Sequence, residues 1–157
     1  MLMDTVTYPD PDVAAYVAER FIPLRLMLDN REHGPVFRAN RIIWTPTAGF
    51  MDRNGSMHYQ SVAFLPPGDF LSVMRIGRAR CLMAWTRSAE ATQELEAAAS
   101  MGNSIAPEAL YWLGVARFLV RRDSAAMWEA WDRLVSLYPG TPWAKRVYPR
   151  PHQETLP

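Results

Sequence analysis

The pair Asn54-Gly55, set between two alternating stretches, constrains this chain most. Asn-Gly accepts the backbone angles of a tight hairpin and marks a short antiparallel connection. Residues 47–52 (TAGFMD) and 56–63 (SMHYQSVA) therefore read as two strands joined at Arg53-Asn54-Gly55. The stretch WTPTAGFMDRNG, residues 44–55, also places a proline just ahead of the first strand. Proline has no N–H to give to a ladder, so it belongs at the entry of such a strand. On these residues alone Pro46 fits a trans proline that opens an edge strand.

Helices and one further strand are expected around this hairpin. Asp10-Pro11-Asp12 opens a helix to about Arg20: Asp10 can cap, Pro11 suits the first turn, and Asp12 faces the positive helix end. Val13, Ala14, Val17 and Ala18 share one face of it. Residues 21–28 (FIPLRLML) are short, apolar and bounded by turn residues, which predicts a buried strand, irregular at Pro23. Residues 35–40 predict a short helix. After Pro66-Pro67-Gly68-Asp69, the residues Phe70, Val73, Met74, Gly77, Cys81, Ala84 and Trp85 recur at helical spacing.

From residue 86 on the pattern is helical. TRSAEATQELEAAASM is rich in Ala, Glu and Gln, strong helix formers, and Gly102-Asn103 stops it. APEALYWLGVARFLVRR and AAMWEAWDRLVSLY predict two more helices, ended by Pro139-Gly140, with a last turn or two in TPWAKRVY. These read as an ordinary helical hairpin packed on the sheet. Most of the aromatics here, Trp112, Trp128, Trp131 and Trp143 with Tyr111, Phe118 and Tyr138, are expected as packing, and one or two could anchor a partner. The nine methionines are read as core filler.

Composition narrows the function classes. The chain has 157 residues, 49% apolar and 21% charged, with 17 basic and 16 acidic side chains and a net charge of +1. No basic excess suggests a nucleic-acid partner, and no apolar run approaches a membrane span. MLMDTVTYPDPD has neither the basic nor the apolar region of a signal peptide, so the default expectation is cytoplasmic. Cys81 is the single cysteine, too few for a disulfide or CxxC motif. Its place on an apolar stripe suggests an inert thiol. His33, His58 and His152 form no metal-ligand pair, and there is no phosphate loop, GxGxxG or nucleophile elbow, so no cofactor and no metal are expected. Asp52 reads as support for the turn, and His58 as a solvated or half-buried strand residue.

Three segments carry a resemblance: TYPDPDVAAYVAERFIPLRL, WTPTAGFMDRNG and FLPPGDFLSVM. In this order they resemble the later part of thioredoxin-like proteins of the CxxC type: the segment after the redox motif, the cis-proline loop with its hairpin, and the last helix. The resemblance implies an α/β fold, a truncated thioredoxin-like region over residues 1–85, with the first strand and redox motif absent. Aligned on TYPDPDV, the second cysteine would fall immediately before Met1. It also implies a cis Thr45-Pro46 bond and a substrate-binding groove at Trp44, Thr45 and Pro46, where an extended peptide could add as a strand. Ala63 stands where these proteins usually carry glycine, and Gly49 where they usually carry a larger apolar residue. A glycine there hints at a tight contact, though drift explains it equally well.

The helical region, residues 86–148, resembles a tetratricopeptide hairpin through Leu110, Leu113, Gly114, Ala116, Arg117 and Phe118, with Trp131 and Pro139 at the later positions. Gly114 would let the two helices approach closely. Residues 149–157 are expected as a flexible tail. The implied function is a redox-silent thioredoxin-like protein that binds a protein or peptide through the cis-proline groove and the helical hairpin. The alternatives are a thiol–disulfide oxidoreductase whose CxxC lies upstream of the Met1 start, or a scaffold that self-assembles. With the first strand gone, open sheet edges also suggest a homodimer, or burial of that edge by the C-terminal region.

Overall fold

The computed structural model describes residues 2–147. The tail expected at 149–157, with His152, lies outside the described residues. The protein is mixed α/β and mostly helical, with one two-stranded antiparallel sheet. A short π-helical turn, Met3–Thr7, leads into α1 (Pro11–Arg20), followed by a 3-10 turn, Arg31–His33, and α2 (Gly34–Ala39). Then come β1 (Thr47–Met51), β2 (Met57–Val62), α3 (Pro67–Ala84), α4 (Ser88–Ser100), α5 (Ala106–Arg121) and α6 (Ser124–Leu137). A 3-10 turn, Ala144–Arg146, closes the described chain.

Local chemistry accounts for the starts. Asp10 Oδ1 accepts hydrogen bonds from the N–H groups of Asp12 (3.0 Å) and Val13 (3.1 Å), with Pro11 in the first turn. Asp123 caps α6 through the N–H of Ala125 at 2.9 Å. The hairpin forms as the Asn-Gly pair requires, with Thr47 opposite Val62 and Phe50 opposite Tyr59, and a register shift after Phe50.

Two differences from the sequence reading matter. Residues 21–28 form no strand. Ile22, Leu24 and Leu28 are 98%, 77% and 63% exposed, so this apolar run is not buried either. A strand exists only through a ladder partner, and none pairs with this run among the described residues. On α1 the buried face is Val13 and Tyr16 with half-buried Val17, whereas Ala14 and Ala18 are exposed.

Two apolar clusters make the core, and α3 serves both. Phe70, Val73 and Met74 join Met3, Val13, Tyr16 and Phe50 on one side. Ile76, Ala79 and Leu82 join Leu95, Leu110, Leu113 and Leu134 on the other. The expected stripe on α3 is thus half of the story, because α4 and α5 cover a second face. Gly77 lets the sheet close onto α3: a Cβ there would strike the Phe50 ring. Gly114 does the same between α5 and α6, where a Cβ would meet the Trp131 indole. Trp131 Nε1–H then donates to the Tyr111 carbonyl at 3.0 Å.

One buried ionic cluster ties α1, α3 and α4 together. Glu94, 8% exposed, accepts from the Tyr16 hydroxyl at 2.6 Å and Arg75 at 2.9 Å, and pairs closely with Arg78. Burial, then the bond to Glu94, pushes the Tyr16 hydroxyl well above its ordinary range.

Candidate functional site

The proline loop and the outer edge of β1 form the first candidate. The Thr45-Pro46 bond is cis, as the resemblance implied. Thr47 Oγ1–H donates to the Trp44 carbonyl at 2.7 Å, and Ala63 N–H donates to the Pro46 carbonyl at 2.9 Å. These two bonds pin the loop from both sides. Thr45 and Pro46 are half-buried, whereas Trp44 is 65% exposed beside Ile43 at 92%.

The Ala63–Pro46 bond also sets the ladder's phase. Antiparallel residues alternate between facing their partner strand and facing away. Ala48 and Phe50 therefore direct their peptide groups toward β2, and Thr47 and Gly49 direct theirs outward. The sheet has two strands, so this edge of β1 carries no neighbour among the described residues. Gly49 is exposed, and the tip of the flexible Met57 side chain lies 2.6 Å from where its Cβ would be.

Ala63 closes the hairpin at φ +87°, in the region that favours glycine. An L side chain held in such a conformation costs roughly 1–2 kcal/mol.

The second candidate lies at the opposite end of β1, where Asp52 is about 20 Å from Pro46 at strand rise. Asp52 does hold the turn: Oδ1 accepts from Asn54 N–H at 2.9 Å and Ser56 N–H at 3.0 Å. Oδ2 takes His58 Nε2 at 2.9 Å and Trp85 Nε1–H at 3.1 Å. The His58 bond, with those from Ser56, Trp85 and Asn54, holds the Asp52 carboxyl well below the usual carboxylate range. Sequence reasoning took Asp52 and His58 singly and missed that the hairpin turn sets them side by side, with Trp85 from the end of α3. Their six-residue separation across an Asn-Gly turn was the available signal.

Cys81 is half-buried on α3. Burial, and then the nearby Asp52 carboxylate, push its thiol up, so it is held protonated. His33 belongs to a local turn, with Nδ1 2.8 Å from the Met27 amide nitrogen. Among the described residues no three His, Cys, Asp or Glu side chains are grouped to hold a metal ion, and no helix is long and apolar enough to cross a membrane. No protein family, curated protein or solved structure matches the chain.

Proposed function

We propose that the protein is a redox-silent member of the thioredoxin-like class that binds an extended peptide or protein segment along the outer edge of β1, beside Trp44, Thr45 and Pro46. The observation that carries this reading is the open edge itself. Thr47 and Gly49 offer outward peptide groups in a sheet of two strands, and an added strand satisfies such groups with main-chain hydrogen bonds.

The surroundings support it. Among the described residues, twelve of the sixteen exposed large apolar side chains lie between Leu2 and Phe64, with Ile22, Leu24, Ile43 and Trp44 among the most exposed. So much apolar exposure in one half of the chain fits an interaction role. Disulfide exchange needs an attacking thiolate and a resolving thiol. The single thiol, Cys81, is held protonated, which fits binding without exchange. The α5–α6 hairpin would supply a second surface through its half-buried tryptophans, and the β1 edge of a second copy is the competing occupant.

A peptide panel with amide hydrogen exchange as readout tests the reading. A bound segment is expected to slow exchange at Thr47 and Gly49. Gly49→Pro, which deletes an outward N–H without removing a hydrogen bond of the β2 ladder, should weaken capture by about tenfold. Protection that appears without peptide and rises with protein concentration would assign the edge to self-pairing. Peptides that bind while both amides exchange freely would end the proposal.

A further inference from the structure

We propose that the pocket at the Asp52 end of β1 binds a small organic phosphate monoester. This site lies at the far end of β1 from Pro46 and does not draw on the strand-edge reading. It has a volume of about 450 Å³, within the range of small-ligand sites. It opens where the end of α1, the end of β1 and the last turns of α3 meet. Arg20, Arg53, Arg78 and Arg87 line it, over an apolar floor that includes Phe21 and Leu82.

The charge arrangement points to an anion. The one carboxylate lining the pocket, Asp52, already accepts four hydrogen bonds from its own hairpin and Trp85, so its oxygens have partners other than the arginines. Arg53 lies 4.1 Å from the Trp85 ring centroid, and no carboxylate pairs with it among the described residues. Arg78 shares Glu94 with Arg75, two cations on one anion. Arg87 pairs with Glu90, and Arg20 with Glu19, but both bridges are solvent-exposed. Exposed pairs of this kind contribute little and can yield to a better-placed anion. A guanidinium fork matches a phosphate in bidentate fashion, and several forks around one apolar floor suit a phosphate on an apolar body.

Calorimetric titration of the full chain with phenyl phosphate at low ionic strength tests this. Saturable binding is expected, weaker for inorganic phosphate, which lacks the ring that rests on Phe21 and Leu82. Arg53→Gln and Arg20→Gln, both surface changes, should each lower affinity by about tenfold. Arg121→Gln, at the end of α5 and outside the pocket, should leave it unchanged. In nitrogen-15 spectra the Trp85 indole and Arg53 signals should move on phenyl phosphate addition. The proposal is overturned if no saturation occurs up to about 10 mM. It is equally overturned if neither arginine change alters the titration.

Discussion

The two halves of the chain bury their apolar side chains to different depths. In α4–α6, Leu95, Leu113 and Leu134 are fully enclosed, and exposed large apolar residues are few. In residues 2–64 the enclosed side chains are mainly Met3, Val13 and Phe50, while Ile22, Leu24, Ile43 and Trp44 stand in solvent. The helical half satisfies its own periodicity: each amphipathic face meets another. The sheet half has a two-stranded ladder packed on α3, and the outer edge of each strand is without a ladder partner among the described residues. The contrast teaches that the helices enclose their apolar faces against one another, and it predicts that most of the stability resides there.

Core truncation should split the halves most widely. Leu113→Ala is expected to cost about 2–5 kcal/mol, whereas Leu24→Ser should stay within about 0.5 kcal/mol of the parent. Urea denaturation measures both, and a comparable loss from Leu24→Ser would erase the distinction. Next in size, Glu94→Ala strands Arg75 and Arg78 and frees Tyr16, at a cost of about 3 kcal/mol. If the same assay shows under a third of that, the cluster is not what binds α1 to the helices.

The seams come third. Gly77→Ala and Gly114→Ala each force a methyl into an aromatic ring, at about 1–3 kcal/mol. The first should loosen the hairpin, read as faster amide exchange in β1, and the second should leave β1 exchange unchanged. Equal effects on β1 would mean that the two seams are not separable.

A pH series sharpens the picture at Asp52. Its folded-state pKa is depressed chiefly by the His58 hydrogen bond, below an unfolded value near 3.9. The stability this contributes is therefore complete above the ordinary carboxylate range and is lost as pH falls through the folded value. Asp52→Asn should flatten that acid slope in denaturation midpoints, and an unaltered slope would place the acid-labile group elsewhere. Smallest of all, Ala63→Gly relieves a positive φ but frees the unfolded chain, for a net gain below about 1 kcal/mol. A loss of stability would show that the Ala63 methyl makes a contact worth more than the strain.

Much of the fold was legible in the chain. Asp10-Pro11-Asp12 wrote the start of α1, Asn54-Gly55 wrote the hairpin, the apolar spacing from Phe70 to Trp85 wrote α3, and the Ala- and Leu-rich stretches after it wrote α4 to α6, because each signal is local and complete in itself. The run at 21–28 misled, since a short apolar stretch becomes a strand only beside a partner, and partners are not a local property. The second buried face of α3 was hidden for a related reason: Ile76, Ala79 and Leu82 became core only when α4 and α5 folded back. Of the candidate sites, the proline loop could be read, whereas the union of Asp52, His58 and Trp85 needed a turn and a distant helix end together.

Helix α3 carries a cluster on each flank, and this makes the chain indivisible. Severing it after Trp85 would strip Ile76, Ala79 and Leu82 of their cover, and discarding the N-terminal portion would bare Phe70, Val73 and Met74. The open edge and the tight helices are therefore expected to melt in one transition, so any surface the hairpin offers a partner lasts only as long as the helices behind it.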